Sequence, residues 1–493
     1  MPKELICLSP IDGTVYATRE ASSLEAAREK IAIMRHAQIK WANRPLDERI
    51  TLVLSGVGIL GSMQEEIVPE LAWMMGRPIC YGGEFGGVNE RATYMAEIAK
   101  SALANVQAGD DETFKRFIKR DPHGVVFVIA PWNYPYLTAI NTIVPALIAG
   151  NSVVLKHATQ TLLAGERMAK AFHQAGIPSD VFMNIFLDHD TSTSLIKERN
   201  FDFINFTGSV EAGRAIEIAA AGSFVGVSTE LGGKDPAYIM DDANIDVAVD
   251  GLMDGAMFNS GQCCCGIERI YVHQSYYDAF VDKSITWVNQ LKLGNPLDPD
   301  TTMGPMAHTR FAATVRNQIN DAIGKGATAH IDRFAADDDN AYLTPQILTG
   351  VNHDMKVMRE ESFGPVVGIM PVKDDEEAIR LMNDSDYGLT ASLWTKNKDR
   401  AEKIGERLET GTVFMNRADY LDPALCWTGC KNTGRGGSLS LIGYHNLTRP
   451  KSFHLKEAFK SQRDKVFNYF IENDDNRVCF IDNDNNDKLS VHV

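Results

Sequence analysis

Three adjacent cysteines, Cys263, Cys264 and Cys265, are side chains that could carry covalent chemistry in this sequence. They follow a Gly-Gln pair in the stretch FNSGQCCCG. A thiol acts as a nucleophile when its pKa is lowered or when a base lies nearby, but a buried cysteine most often serves as a small apolar residue. The run by itself leaves four interpretations open: a metal site, disulfide partners, core residues, or one nucleophile with two neighbours.

A carboxylate that could serve as a general base, Glu230, stands 34 positions before Cys264. It lies in TELGGKDP, between the strand-like stretches GSFVGVST and PAYIM, which would bury it. Burial raises the pKa of a carboxyl group, and a raised pKa suits a general base near neutral pH. The alternative interpretation is an exposed surface glutamate.

Two further segments place polar groups after predicted strands. Asn133 in APWNYP follows an apolar strand, at a position where ligands collect in open α/β sheets. Its amide could donate to an oxyanion or could cap a helix. In INFTGSVEAG, Gly208 and Ser209 lie between a strand and a helix, whose first-turn amides suit a pyrophosphate. This segment lacks the G-x-G-x-x-G fingerprint and is a weak dinucleotide motif.

The elements that must position these residues alternate between apolar strands and amphipathic helices. Residues 124–155 read as the strand VVFVIA, the turn PWNYP, the helix LTAINTIVPALIAG and the strand SVVLK. The prolines and asparagines of this segment argue against a membrane span. Repeated strand, turn and helix predict parallel sheets with helical crossovers, so the fold class is α/β. The first hundred residues are predicted to be mainly helical.

Composition and charge exclude several classes of function. The chain has 493 residues, of which 44% are hydrophobic and 23% charged, with a formal net charge of −16. This acidic balance argues against nucleic-acid or anionic-membrane partners, which need a cationic face. We find no secretory signal, and eight cysteines are too few for a disulfide scaffold, which favours a reducing cytoplasmic location.

Together these stretches resemble the aldehyde dehydrogenase superfamily from the first predicted helix through RPKSFHLK. The resemblance rests on the order and spacing of APWNYP, NFTGS, ELGGKDP, GQCCCG, EESFGPV, NDSDYGL and GTVFMN. It implies that Cys264 attacks an aldehyde, that Asn133 holds the oxyanion, and that Glu230 activates the water that hydrolyses the thioester. Family members that acylate coenzyme A usually lack this glutamate. Such acylation and a noncatalytic protein on the same fold are the alternatives.

The resemblance also implies a site for NAD or NADP. Glu361 would hold the nicotinamide ribose, with Phe363 beside the ring; Lys156 would approach the adenosine ribose, and Trp132 would lie near the cofactor. Thr159 stands where NAD-preferring members commonly carry a glutamate. Its neutral side chain removes a repulsion toward a 2′-phosphate. We therefore expect NADP to be accepted, in addition to NAD.

For the substrate pocket, the resemblance implies a partly aromatic and neutral wall, which suggests a hydrophobic or medium-chain aldehyde. The predicted pocket residues are Tyr134, Asn141, Cys263, Cys265, Leu421 and Trp427. Cys426 and Cys430 lack a second ligand pair at the usual spacing. We expect no metal site.

The implied architecture is a Rossmann-like dinucleotide-binding domain, an α/β catalytic domain and a small β arm for oligomerisation. The predicted boundaries are 1–103 and 123–232 for the first, 233–432 for the second, and 104–122 with 445–456 for the arm. Unpaired strand edges in the arm predict a homodimer or homotetramer. Residues 457–493, rich in Asp and Asn, form a C-terminal appendage of unassigned role.

Overall fold

Strands and helices alternate along most of the chain, which confirms the predicted α/β class. The structure, a computed structural model, describes residues 3–110, 114–332 and 340–456. The strands are β1 Glu4–Leu8, β2 Val15–Glu20, β3 Val106–Gln107, β4 Phe114–Pro122, β5 Val125–Ala130, β6 Ser152–His157, β7 Phe182–Asn184, β8 Phe203–Thr207, β9 Gly226–Glu230, β10 Asp235–Ile239, β11 Ile267–His273, β12 Thr328–Ala329, β13 Gln346–Thr349, β14 Val366–Val372, β15 Tyr387–Gly388, β16 Thr390–Trp394, β17 Thr412–Met415, β18 Cys430–Lys431 and β19 Thr448–Lys456. The helices are α1 Leu24–Ala42, α2 Leu46–Ser62, α3 Gln64–Met75, α4 Phe85–Ala102, α5 Pro135–Ala149, α6 Leu162–Gln174, α7 His189–Lys197, α8 Val210–Ala220, α9 Ile245–Met257, α10 Tyr277–Val288, α11 Thr309–Gly324, α12 Lys356–Arg359, α13 Asp375–Asn383, α14 Lys398–Gly405 and α15 Ser440–Asn446.

A five-stranded parallel sheet has the order β7-β6-β5-β8-β9. Helices α2, α4, α5 and α6 pack on one face and α1, α7 and α8 on the other. Because both faces are covered, every residue of β5 and β6 is buried. The order reverses between β5 and β8, and in open α/β sheets ligands bind at the carboxyl ends of the strands at such a point.

A seven-stranded sheet follows, in the order β12-β13-β14-β11-β10-β16-β17. All of its neighbouring strands run parallel except β12 and β13. Helices α9 and α10 pack on one face and α11 to α14 on the other. Parallel sheets covered in this way are typical of α/β proteins, and burial on both faces explains why every residue of β10 and all of β11 except His273 are buried.

The N-terminal segment differs in part from the sequence prediction. Helices α1 to α4 make residues 24–102 mainly helical, as predicted, but an antiparallel hairpin of β1 and β2 precedes them. In the described ranges, none of the helices combines the length and the apolar character that crossing a bilayer requires.

The structure divides into two compact units. Of the described residues, the larger comprises those up to 103 and those from 120 to 449, and the smaller comprises those within 104–119 and 450–456. In the smaller unit, Phe117 stacks on Phe453 with ring centroids 4.6 Å apart. Its strands belong to a three-stranded sheet of order β19-β4-β3. The boundary at residues 232 and 233 and the oligomerisation role of this sheet stay predictions, and the predicted appendage 457–493 lies outside the described residues.

A buried ion pair fixes the segments that follow β9 and precede β14. Lys234 Nζ donates to the Glu268 carboxylate at 2.5 Å and to Ser362 Oγ at 3.0 Å. The same carboxylate accepts the backbone N–H groups of Ser362 and Phe363, each at 2.8 Å. Lys234 is 1% exposed and Glu268 4%. Such a pair is strongly destabilising to break, because the remaining charge stays buried.

We expect Glu268→Ala to lower the free energy of unfolding by about 3–5 kcal/mol, because Lys234 is left as an uncompensated buried charge. Denaturant unfolding followed by tryptophan fluorescence measures the change. The control is Lys100→Ala, which removes an exposed pair with Asp47 and should change stability by less than about 0.5 kcal/mol. Equal effects of the two substitutions would contradict this role of the buried pair.

Candidate active site

A cavity of about 210 Å³ lies among α4, α5, the end of β9, the cysteine run and the loop after β17. Its lining includes eight of the residues predicted from the sequence: Tyr134, Asn141, Glu230, Cys263, Cys264, Cys265, Leu421 and Trp427. These side chains come from four separate segments of the chain: α5 with its N-cap, the end of β9, the cysteine run and the loop after β17. The fold therefore brings the candidate nucleophile, the candidate base and the predicted pocket residues to one place.

A strained turn presents the cysteines to this cavity. Helix α9 ends at Met257, and Asn259 and Ser260 then adopt left-handed backbone conformations with φ of 53° and 57°. The Gln262 side chain anchors the turn: its amide donates to Asn259 O at 3.0 Å, and its oxygen accepts Ala307 N–H at 2.8 Å. Cys264, two residues later, is the most exposed of the three cysteines.

The three cysteine sulfurs lie within 4.8 Å of one another. The adjoining Cys263 and Cys265 thiols, whose sulfurs lie 3.5 Å apart, lower the pKa of Cys264, whereas the pKa values of Cys263 and Cys265 themselves are raised. Asp419 Oδ1 accepts from the Cys263 and Cys265 thiols, each at 3.0 Å. Each thiol has one proton, so Asp419 competes with Cys264 for it. The arrangement favours one thiolate between two thiols.

Glu230, at the end of β9, is the candidate general base. It is 9% exposed, and its Oε1 has no hydrogen-bond partner among the residues described. Burial raises the pKa of Glu230 to about 7, against the opposing effects of Ser438 and Arg91. A carboxyl group with this pKa can take a proton from water near neutral pH.

Asn133 lies beside the cysteine run but does not line the cavity. It is 4% exposed, and its Nδ2 donates to Gln262 O at 3.3 Å. The backbone N–H of Cys264 forms no hydrogen bond with any residue in the described ranges. The amide of Asn133 has a second proton and the Cys264 N–H is free, so both could donate to an oxyanion on the substrate.

The carboxyl ends of β6 and β8 meet at one edge of the five-stranded sheet. Lys156 lies near the end of β6, Thr159 follows β6, and Gly208 and Ser209 follow β8. Lys156 is 6% exposed and its Nζ has no hydrogen-bond partner among the described residues. Burial lowers the pKa of Lys156 to about 8, with Asp188 opposing. A buried amine without a partner fits the hydroxyl or phosphate groups of a nucleotide, as does the α8 N-terminus that Ser209 caps.

The remaining predicted cofactor residues lie close to the segment that follows Glu230. Glu361 Oε1 accepts the backbone N–H of Gly233 at 3.0 Å, and burial raises the pKa of Glu361 to about 8. A Cβ atom on Gly232 would lie 2.2 Å from the Glu361 carboxylate, so this approach requires glycine. Trp132 stands edge-on to Phe363, with centroids 5.5 Å apart.

The family profile described as "Aldehyde dehydrogenase family" matches residues 2–453. The chain belongs to the aldehyde dehydrogenase family. Among its relatives, an aldehyde dehydrogenase of Paenarthrobacter nicotinovorans is 32% identical over 451 residues, which cover 90% of this chain and 98% of that protein. The recognition made from the sequence motifs is therefore confirmed.

Solved structures of this family share the fold. The NADP-dependent glyceraldehyde-3-phosphate dehydrogenase of Bacillus halodurans, complexed with NADP, superposes with a TM-score of 0.87 at 32% identity, covering 92% of this chain and 96% of that chain. The aldehyde dehydrogenase of Bacillus cereus in its NAD+ complex gives a TM-score of 0.88 at 29% identity, covering 92% and 94%.

Charged side chains line the cavity of this aldehyde dehydrogenase, whereas the sequence predicted a neutral wall. Glu90, Arg91 and Asp419 all line it. Arg91 occupies a buried position on α4, next to the buried residues Val88 and Ala92. A charged residue on the apolar face of a predicted helix is the signal that could have identified Arg91 from the sequence.

In a Cys263→Ala variant we expect the pH midpoint for alkylation of Cys264 to move up, because one thiol donor is lost. In Asp419→Ala we expect it to move down, because Asp419 competes for the thiol protons and its charge also opposes ionisation of Cys264. Rates of iodoacetamide labelling, measured by mass spectrometry of the Cys264 peptide across pH, give both midpoints.

The control for this experiment is Cys80→Ala, which removes an exposed cysteine that does not line the cavity and should leave the midpoint unchanged. Midpoints that move in the same direction in Cys263→Ala and Asp419→Ala would contradict the competition between Asp419 and Cys264.

Proposed function

We propose that this enzyme oxidises an aldehyde to a carboxylic acid through a covalent thioester on Cys264, which a Glu230-activated water hydrolyses. The observation that carries the proposal is that Cys264 and Glu230 line the same small cavity, with a lowered thiol pKa and a carboxyl pKa of about 7. This pair of shifts suits a nucleophile and a base that both work near neutral pH.

In the first half of the reaction, the Cys264 thiolate attacks the aldehyde carbon and forms a carbon–sulfur bond. The carbonyl electron pair moves to oxygen, where the Asn133 amide and the Cys264 N–H would donate to the oxyanion. A nicotinamide cofactor, held by Glu361, Phe363 and Trp132, would supply the oxidant for this carbon, a hydride acceptor. The result is a thioester on Cys264.

In the second half, Glu230 accepts a proton from water as the water oxygen attacks the thioester. The carbon–sulfur bond then breaks, and the sulfur leaves as the Cys264 thiolate. Hydrogen bonds from Cys263 and Cys265 make this thiolate a better leaving group. Acyl transfer to coenzyme A would use the same thioester without the proton transfer to Glu230.

For the cofactor, we propose NAD or NADP, with Lys156 and Thr159 at the adenosine end and Glu361, Phe363 and Trp132 toward the nicotinamide. The unpartnered buried amine of Lys156 supports this assignment. So do the α8 N-terminus capped by Ser209 and the loop at Gly208. The neutral Thr159 supports acceptance of the 2′-phosphate of NADP.

We propose that residues 1–103 and 123–232 form the dinucleotide-binding domain and 233–432 the catalytic domain. We further propose that the three-stranded sheet joins copies of the chain into a homodimer or homotetramer, supported by its exposed strand β3. The cysteines in the described ranges are all free, which supports a reducing cytoplasmic location.

Substitutions at Cys264 and Glu230 test the two halves of the reaction. We expect Cys264→Ala to lose both the NAD(P)H burst and steady turnover by at least about 1,000-fold. Glu230→Gln should keep the burst and lose steady turnover by about 100- to 10,000-fold. Rapid-mixing absorbance with each cofactor measures both phases. An active Cys264→Ala, or acyl-coenzyme A as the main product when coenzyme A is added, would contradict the proposal.

The hydrolytic step should depend on pH through Glu230. Because the ionised carboxylate is the base, the hydrolysis rate should rise with pH through about 7, the pKa of Glu230, and level off above it. Single-turnover decay of the acyl-enzyme in the native chain gives this profile, and Glu230→Gln should show no such rise.

Cofactor choice is tested at Thr159. We expect Thr159→Glu to raise the KM for NADP by about 10-fold or more, because the carboxylate repels the 2′-phosphate, and to change the KM for NAD much less. Thr159→Gln is the matched neutral control. Negligible turnover of NADP by the native enzyme, beside that of NAD, would refute the expected NADP acceptance.

A further inference from the structure

A buried arginine in the active-site cavity lacks a carboxylate partner. Arg91 lies on α4, is 6% exposed, and lines the cavity that Cys264 and Glu230 also line. Its Nη1 donates to Asn141 Oδ1 at 3.0 Å and to Leu137 O at 3.2 Å. Within the described ranges, Nε and Nη2 have no hydrogen-bond partner. A buried charge of this kind calls for a compensating anion.

Other buried arginines of the enzyme use their guanidinium groups more fully. Arg77 pairs with Glu84 at 2.7 Å and also donates to Asn133 O at 2.6 Å. Arg269 donates from all three of its side-chain nitrogens. Arg91 differs from both because Nε and Nη2 are left available in the cavity.

Asn141 provides a second donor beside Arg91. It lies on α5, is 1% exposed and also lines the cavity. Its Oδ1 accepts from Arg91, which leaves Nδ2 as a buried donor without a partner among the described residues. Two neighbouring donor groups match the two oxygens of a carboxylate, and hydrogen bonds between charged groups are the stronger kind.

The acidic groups of the cavity do not cancel the charge of Arg91. Burial raises the pKa of Asp419 well above its usual range, and its Oδ1 accepts from the Cys263 and Cys265 thiols rather than from Arg91. The pKa of Glu230 is about 7, so it is only partly ionised. Glu90 is exposed and accepts the Tyr420 hydroxyl at 2.5 Å. An arginine guanidinium stays protonated in proteins, so the buried wall carries a positive charge.

We propose that Arg91 and Asn141 bind a carboxylate at the end of the substrate opposite the aldehyde, so that the enzyme acts on short aldehydes that carry an acid group. This inference rests on the proposed function, since the same cavity presents Cys264. The cavity of about 210 Å³ is smaller than the roughly 300–1,000 Å³ of typical ligand pockets, which favours a short chain. The proposed substrate, a short aldehyde with an acid group, differs from the hydrophobic or medium-chain aldehyde expected from the sequence.

The test compares 4-oxobutanoate with its methyl ester, which has the same chain and no charge. We expect kcat/KM of the native enzyme to favour the acid by at least about 10-fold, the range of a hydrogen bond to a charged group. In Arg91→Met the ratio of kcat/KM for the acid to that for the ester should fall about 10- to 100-fold through a higher KM for the acid, because any effect of Arg91 on Glu230 acts on both substrates alike. Arg91→Lys should restore part of the preference.

The control is Arg407→Met, which alters an exposed arginine paired with Glu376 outside the cavity and should leave the ratio of acid to ester unchanged. An alternative is that Arg91 serves only to support ionisation of Glu230. In that case Arg91→Met would lower kcat equally for both substrates and would shift the pH midpoint of kcat. That result would overturn the proposal. A native enzyme that prefers the ester would also overturn it while the proposed function stands. Oxidation of neither substrate would contradict the proposed function as well.

Discussion

Hydrogen bonds around the turn before the cysteines determine where the candidate nucleophile lies. The left-handed conformations of Asn259 and Ser260 are unfavourable for residues with side chains and persist only where surrounding contacts hold them. Asn259 Nδ2 donates to the carbonyls of Asn133 and Gln262, each at 3.2 Å. Since Asn133 also donates to Gln262 O, the loop after β5 and the turn form one network. Cys264 is therefore fixed relative to Asn133 by polar contacts between distant segments.

Burial acts on the titratable groups of the cavity in different directions, because their hydrogen-bond partners differ. Glu230 has one carboxyl oxygen without a partner, so burial dominates and its pKa is raised. Cys264 lies in the same cavity, but two thiol donors outweigh burial and lower its pKa. One buried environment thus lowers the pKa of the candidate nucleophile and raises that of the candidate base.

The sequence predicted those features that depend on local patterns. Strands β5 and β6 are continuous apolar runs, and the turn between β5 and α5 is marked by its prolines, so the α/β class could be read directly. The hairpin of β1 and β2 escaped prediction, because β1 alternates between exposed and buried positions but carries apolar residues, Ile6 and Leu8, at exposed ones, which hides the alternation in the sequence. A short hairpin of this kind is stabilised largely by the residues it packs against.

The helical pattern could have singled out Arg91 as a buried charge, but the contacts among the polar groups of the pocket could not be predicted, because they arise from nonlocal packing. Arg91 and Asn141 are 50 positions apart and meet only because α4 packs on α5. Asp419 reaches the cysteines from a loop more than 150 positions later, at a separation of 156 from Cys263. A motif search finds residue types at fixed spacing, and neither of these pairs has one.

The three cysteines illustrate why geometry alone does not assign chemistry. Sulfurs within 4.8 Å of one another could bind a soft metal ion, but thiol ligands must first ionise. Here hydrogen bonding and burial hold the pKa values of Cys263 and Cys265 high, so these two residues keep their protons. Those protons are what stabilises a thiolate at Cys264. These raised pKa values favour the proposed role of the cluster, a nucleophile with two thiol neighbours, over a metal site, because a metal site would require Cys263 and Cys265 to ionise.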